Sequence, residues 1–250
     1  MIGGSSGWSV ENDPPPENSM TPPFRPNGKD VFFVFAGGMV AFAALVAAVI
    51  IANAVSDGVF ANRLANEPSK AWLQITIGAF VLFSPVYLVG IKTRRLAWRD
   101  LGFVAPEAAW IVAAIMLGVI AHFVIGLVHL SLGDPLKDVM TRTFDPANSR
   151  ITDRVFVFTA VTTIVPLVEE IYFRGLLFRW LHNRWGLYTG LLVSALTFGA
   201  LHGDWIWAVA TAVLGVLLAF VYWRSGSIWT SITLHATYNS VGLIGIFAGN

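Results

Sequence analysis

Cysteine is absent from the 250 residues, which excludes disulfides, thiolate metal ligands and a cysteine nucleophile. Charge is also scarce. Asp, Glu, Lys and Arg make up 12% of the chain, against 56% hydrophobic residues and a mean hydropathy of +0.67. Soluble domains carry about 25% charge, so this composition implies an integral, multi-pass membrane protein whose first partner is the bilayer. The formal net charge is +1, and no basic block is present that could track a nucleic-acid backbone, which excludes nucleic acid as a partner. A cleavable signal is not expected, because Glu11, Asp13 and Glu17 precede the first apolar run. The HExxH spacing of zinc peptidases is missing, and so is any visible inverted repeat of the transporter kind.

What the chain does contain is a series of apolar runs. Residues 1–30 are polar and proline-rich, with Pro14-Pro15-Pro16 and Pro22-Pro23, and read as a disordered tail. Val31–Val55 is uncharged and as a helix reaches about 37 Å, enough to cross a hydrocarbon core. Ala71–Ile91 and Ala108–Leu132 complete an amino-terminal group of three transmembrane helices over 31–132, and 133–154 is a polar loop. Residues 155–250 hold four more runs: Val155–Trp180, Leu187–His202, Trp205–Trp223 and Ile228–Ala248. Backbone polar groups must pair within the chain when lipid surrounds them. The expected fold is therefore all-α, a polytopic transmembrane bundle of about seven spans. Trp98, Trp110, Trp180, Trp185, Trp205, Trp223 and Trp229 fall near span ends, where indoles favour the headgroup level. The distribution of Lys and Arg between the two sides predicts a cytoplasmic amino terminus.

Charge inside these runs is concentrated in PLVEEIYFRGLL, residues 166–177. An acidic or basic residue at mid-membrane costs about 2.5 to 3.5 kcal/mol on insertion scales, so Glu169, Glu170 and Arg174 must face protein or water. Glu170 and Arg174 stand four apart and can pair on one helix face. Glu169 is turned about 100° away, with no cation on its own helix. It is the better candidate for a general base, and the bland alternative is a structural pair beside a polar cavity. Further along, Phe198 and His202 share a face at i,i+4, as do His235 and Asn239. His122 and His129, seven apart with no acidic partner in their run, read as structural.

The ordered set Glu169-Glu170-x-x-x-Arg174-Gly175, Phe198-x-x-x-His202 and His235-x-x-x-Asn239 resembles the CAAX protease and bacteriocin-processing family, also called the Abi family, of intramembrane proteases. The resemblance covers roughly Val155–Asn250 and not the first three spans. It implies that Glu169 and His202 hold and activate a water, that His235 and Asn239 donate to the oxyanion, and that Glu170 pairs with Arg174 to support the site beside Phe198. The implied substrates are peptides or proteins, lipidated or membrane-anchored, and nothing in the chain selects among prenylated termini, leader peptides and membrane-bound regulators.

The residue chemistry agrees with an endopeptidase: amide hydrolysis needs a base, an acid for the leaving amine and donors for the oxyanion. A metal-free mechanism is the expectation, since Asn239 beside His235 suits an oxyanion better than zinc; the alternative zinc set is Glu169, His202 and His235. Alternative functions are a non-catalytic membrane scaffold, an immunity-type protein or a proton-coupled transporter. One tension remains in the counting. Measured along helices from Arg179, Leu187 and Ile228, the three groups do not share a plane, so the fifth helix must start late or tilt, or Pro166 must bend the fourth.

Overall fold

The computed structural model describes residues 28–55, 71–132, 150–202 and 205–248. The expected tail up to residue 27 and the expected polar loop from 133 to 149 lie outside the described residues. Among the described residues there is no strand, and seven helices follow one another: α1 (Gly28–Val55), α2 (Ala71–Pro85, continuing π-helically over Val86–Thr93), α3 (Ala108–Leu132), α4 (the composite helix over Ile151–Trp185), α5 (Leu187–Ala200), α6 (Trp205–Ser225) and α7 (Ile228–Ala248). By length and composition five segments among the described residues can cross a membrane, namely Gly28–Ala52, Ile75–Thr93, Ala108–Ser131, Ile151–Trp185 and Trp205–Ser225. The chain is an integral, multi-pass membrane protein. α5 is shorter, and α7 is less apolar because it carries Thr230, Ser231, Thr233, His235, Thr237, Asn239 and Ser240.

Two boundaries differ from the sequence expectation for a local electrostatic reason. Residues 28–30, assigned to the tail, begin α1, where Asp30 sits in the first turn and pairs with Arg94 beyond α2; a carboxylate there also meets the positive end of the helix dipole. Residues 151–154, assigned to the polar loop, open α4, and the Asp153 carboxylate accepts the Arg150 N–H at 3.3 Å. Polar residues thus cap helices that continue into lipid.

Proline shapes two of the spans. Pro85 lies within α2 and has no N–H for the carbonyl of Val81; the Ser84 hydroxyl donates to that oxygen at 2.8 Å instead. In α4 a π-helical turn over Ala160–Ile164 precedes Pro166, and a second π-helical stretch runs over Ile171–Phe178. Each wide turn shifts the faces that follow it.

The core lies where α4 to α7 meet. Ile171, Leu176, Phe178, Phe198, Leu214, Leu218, Ile228 and Leu234 are fully buried there, joined by Leu101 from the α2–α3 connection. α1 to α3 instead expose residues such as Phe32, Met39, Ile50, Met116 and Phe123, as a lipid-facing surface requires. α5 and α6 pack most closely at Gly199, where an added Cβ would stand 2.2 Å from the Ala208 carbonyl oxygen and 2.9 Å from the Ala212 Cβ. Gly199→Val is therefore expected to lower stability by ~1–3 kcal/mol through overpacking. The check is thermal unfolding in detergent; an unchanged midpoint would show that the hairpin yields without cost.

Candidate active site

The depth problem is resolved by the true length of α4. It runs to Trp185, and a left-handed Gly186 (φ 83°) turns the chain directly into α5. Glu169 lies seventeen residues before that glycine and His202 sixteen after it, so each arm of the hairpin rises about 25 Å. The fifth helix does not start late. α7, in contrast, begins well inside the bundle, because the Ile228 N–H donates to Gly102 O at 2.8 Å beside Gly175. From that level Glu169 is six residues along α4 and His235 seven residues along α7, or about 10 Å in each helix.

These registers bring five of the sequence-selected groups together. One oxygen of Glu169 stands 4.0 Å from His202 Nε2 and the other 3.7 Å from His235 Nε2. Glu169 and His202 remain partly open, with side chains 23% and 27% exposed, whereas Glu170 and Arg174 are sealed inside the bundle. The Glu170 Oε1 accepts from Arg174 at 3.0 Å and from His235 Nδ1 at 2.9 Å. Adjacent carboxylates thus occupy unlike surroundings, one held by two cation-forming side chains and the other facing two imidazole edges across open space.

Second contacts orient both imidazoles. His202 Nδ1 donates to the Phe198 carbonyl at 2.7 Å and His235 Nδ1 to Glu170, which turns both Nε2 atoms toward Glu169. The Phe198 ring packs between these parts. Its centroid is 4.5 Å from the His202 ring and 5.9 Å from the His235 ring, and the Arg174 guanidinium lies 4.6 Å above it. Arg174 also donates to Gly215 O at 3.1 Å, linking α4 to α6.

Asn239 engages a partner that the sequence does not reveal. The Val165 N–H goes to Ala160 O across the π-helical turn, and Pro166 has none, so Val161 O loses its usual i+4 and i+5 donors. Asn239 Nδ2 donates to that oxygen at 2.9 Å. An amide nitrogen carries two N–H groups, and this contact uses one. His122 and His129 take ring contacts away from the cluster, with Tyr238 at 5.3 Å and Trp207 at 5.0 Å. Sequence reasoning did not find the double engagement of His235 by both glutamates. No spacing within a single helix signals it, because Glu170 and His235 lie 65 positions apart on different helices.

The model of the family described as Type II CAAX prenyl endopeptidase Rce1-like matches residues 151–241. Among curated proteins, an Escherichia coli "Uncharacterized 24.3 kDa protein" is 27% identical over 140 residues, 54% of this chain and 62% of that protein. The Bacillus subtilis (strain 168) "Putative membrane peptidase YdiL" is 33% identical over 85 residues, 34% of this chain and 35% of that protein. The UPF0177 protein YbdI of Lactococcus lactis subsp. lactis (strain IL1403) is 25% identical over 169 residues, 66% of this chain and 90% of that protein. The chain thus spans less than two thirds of the first two relatives. No solved structure matches it significantly. Every residue of the cluster falls within residues 151–241, the segment over which the chain is similar to the Type II CAAX prenyl endopeptidase Rce1-like family.

Proposed function

We propose that the chain is an intramembrane endopeptidase that hydrolyses peptide bonds with a water activated by Glu169. The observation that carries this reading is the placement of a partly open carboxylate between two imidazole edges while its neighbour Glu170 is fully engaged. Glu169 takes a proton from water as the oxygen attacks the scissile carbonyl, and His202 Nε2 accepts the second water proton as a hydrogen bond and aims the nucleophile. His235 donates from Nε2 to the oxyanion, together with the second N–H of Asn239. Glu169 then passes its proton to the amine nitrogen as the C–N bond breaks, and the new carboxylic acid gives up its remaining proton to the released amine, leaving a carboxylate and an ammonium. Each donor removed from an oxyanion site costs about 10² to 10³ in turnover.

The mechanism proposed is metal-free. Glu169 directs opposite oxygens at the two histidines, and Asn239 beside His235 suits an oxyanion better than zinc. Metal analysis of the purified protein against His235→Ala is expected to show no stoichiometric zinc in either form; zinc present only in the parent would overturn this part.

The experiment for the function compares membranes containing the parent protein, Glu169→Gln or His202→Ala, and maps new peptide ends by mass spectrometry. Ends that appear only with the parent support the reading, and identical patterns would falsify it. Asn239→Leu is expected to lose turnover and also ~1–3 kcal/mol of stability, because Val161 O is left unpaired in the bundle. A lowered unfolding midpoint with full turnover would remove Asn239 from the oxyanion role.

The amino terminus is proposed to be cytoplasmic, on the side where Lys29, Lys92, Arg94, Arg95, Arg99, Arg184 and Arg224 collect. A cysteine at exposed Asn183, on that side, would react with an impermeant maleimide only after permeabilisation. Labelling of intact cells would reverse the assignment. Substrates are proposed to be membrane-anchored or lipidated peptides.

A further inference from the structure

The connection between α2 and α3 enters the catalytic half of the bundle, although it lies outside the segment matched to the family. Trp98–Leu101 forms one 3-10 turn, the Asp100 carboxylate accepts the Ala97 N–H at 2.8 Å, and Gly102 ends the turn in the left-handed region at φ 92°. Leu101 is fully buried. Its carbonyl oxygen and Cβ lie close to Gly175, where an added Cβ would meet them at 2.9 and 3.4 Å.

Five backbone carbonyls of this short stretch receive donors from the catalytic helices. Arg179 Nη1 donates to Asp100 O at 2.8 Å and Arg99 O at 3.4 Å, and the Tyr222 hydroxyl to Leu101 O at 3.5 Å. The Ile228 N–H donates to Gly102 O at 2.8 Å and the Ser227 hydroxyl to Val104 O. Arg179, Tyr222 and Ser227 are all buried. A carbonyl away from water must find a donor, and here α4, the end of α6 and the start of α7 each supply one or more. The stretch is therefore wedged between α4 and α7, at the level from which both Glu169 and His235 are counted.

We propose that the 98–104 connection is the spacer that sets the height of α7 against α4, and thereby the approach of His235 to Glu169 and Glu170, with Arg179, Tyr222 and Ser227 as its positioning residues. The amino-terminal half then contributes to the site without supplying a catalytic group. The consequence for turnover rests on the peptidase reading; the geometry does not.

The test exploits the absence of native cysteine. Spin labels at Ile244→Cys on α7 and Leu196→Cys on α5, both lipid-exposed, report the height of α7 by pulsed electron resonance in the full-length protein. Arg179→Met keeps the apolar stem and removes both donated bonds, and it is expected to shift or broaden the distance by about 3 Å, half a helical turn. Arg179→Lys, which keeps a charged donor, should restore it, and Tyr222→Phe with Ser227→Ala provides a milder pair should Arg179→Met fail to fold. General destabilisation would reduce folded yield while leaving the distance in the folded fraction unchanged, and an unchanged distance in the folded variants overturns the proposal. Absence of any proteolysis by the parent would sink the peptidase reading and leave the distance result standing.

Discussion

Glu169→Gln is expected to abolish measurable proteolysis, lowering turnover by about 10² to 10⁴ while leaving the protein folded. The amide is nearly isosteric with the carboxylate but cannot take a proton from water, so the step lost is the first one. The structural cost is small for a visible reason. Glu169 is partly open, and its contacts with His202 and His235, at 4.0 and 3.7 Å, lie beyond hydrogen-bond length. A change at such a position shifts stability by roughly 0.5 kcal/mol or less. Turnover and unfolding are therefore predicted to separate cleanly, and peptide-end mapping together with thermal unfolding of the same preparation checks both. A variant that cleaves as fast as the parent would assign the base to another group.

The second large effect runs the other way, against folding. Arg174→Met is expected to cost ~3–5 kcal/mol, the usual consequence of removing one partner of a buried ion pair. Glu170 would keep His235 and the Ser231 hydroxyl but lose its one permanent cation, and its Oε2 has no hydrogen-bond partner. The bond to Gly215 O and the stacking on Phe198 would go as well, so three helices lose a shared contact. Arg174→Lys is expected to fall short of the parent, because an ammonium does not reproduce the planar fork that reaches Glu170 and Gly215 together. Replacing both partners, Glu170→Met with Arg174→Met, should recover most of the stability, since no charge is then stranded. It should not recover turnover, because His235 Nδ1 loses the acceptor that orients the ring. Unfolding midpoints of the two single variants and the double variant, read beside their product yields, test this. If the double variant were as unstable as either single one, the pair would be a source of net stability and the argument from stranded charge would fail.

Part of the candidate site's geometry was legible in the chain. Three charged residues in an apolar run had to face inward, and the four-residue spacing of Glu170 and Arg174 pointed to the pair that is found. The pairing of Phe198 with His202 likewise followed from the helix repeat. Other features were hidden because they depend on departures from that repeat. Two π-helical stretches in α4 change which faces follow them, and no residue pattern in 160–178 announces either one. The partner of Asn239 exists because Pro166 and the π-turn together release Val161 O, a coincidence across 78 positions. The expected fourth span, 155–180, was too short at both ends, and this, together with the start of α7 well inside the bundle, produced the apparent mismatch in depth.

Hydropathy by itself dictates a helical bundle in lipid, since an unpaired backbone cannot persist in hydrocarbon and runs of this length have no other way to pair it. Local spacing likewise dictated which charged groups share a turn. Only the packed bundle decided which imidazole meets which carboxylate. That outcome depends on where α5 turns at Gly186 and where α7 begins against Gly102, and both heights are set by contacts between segments far apart in the chain.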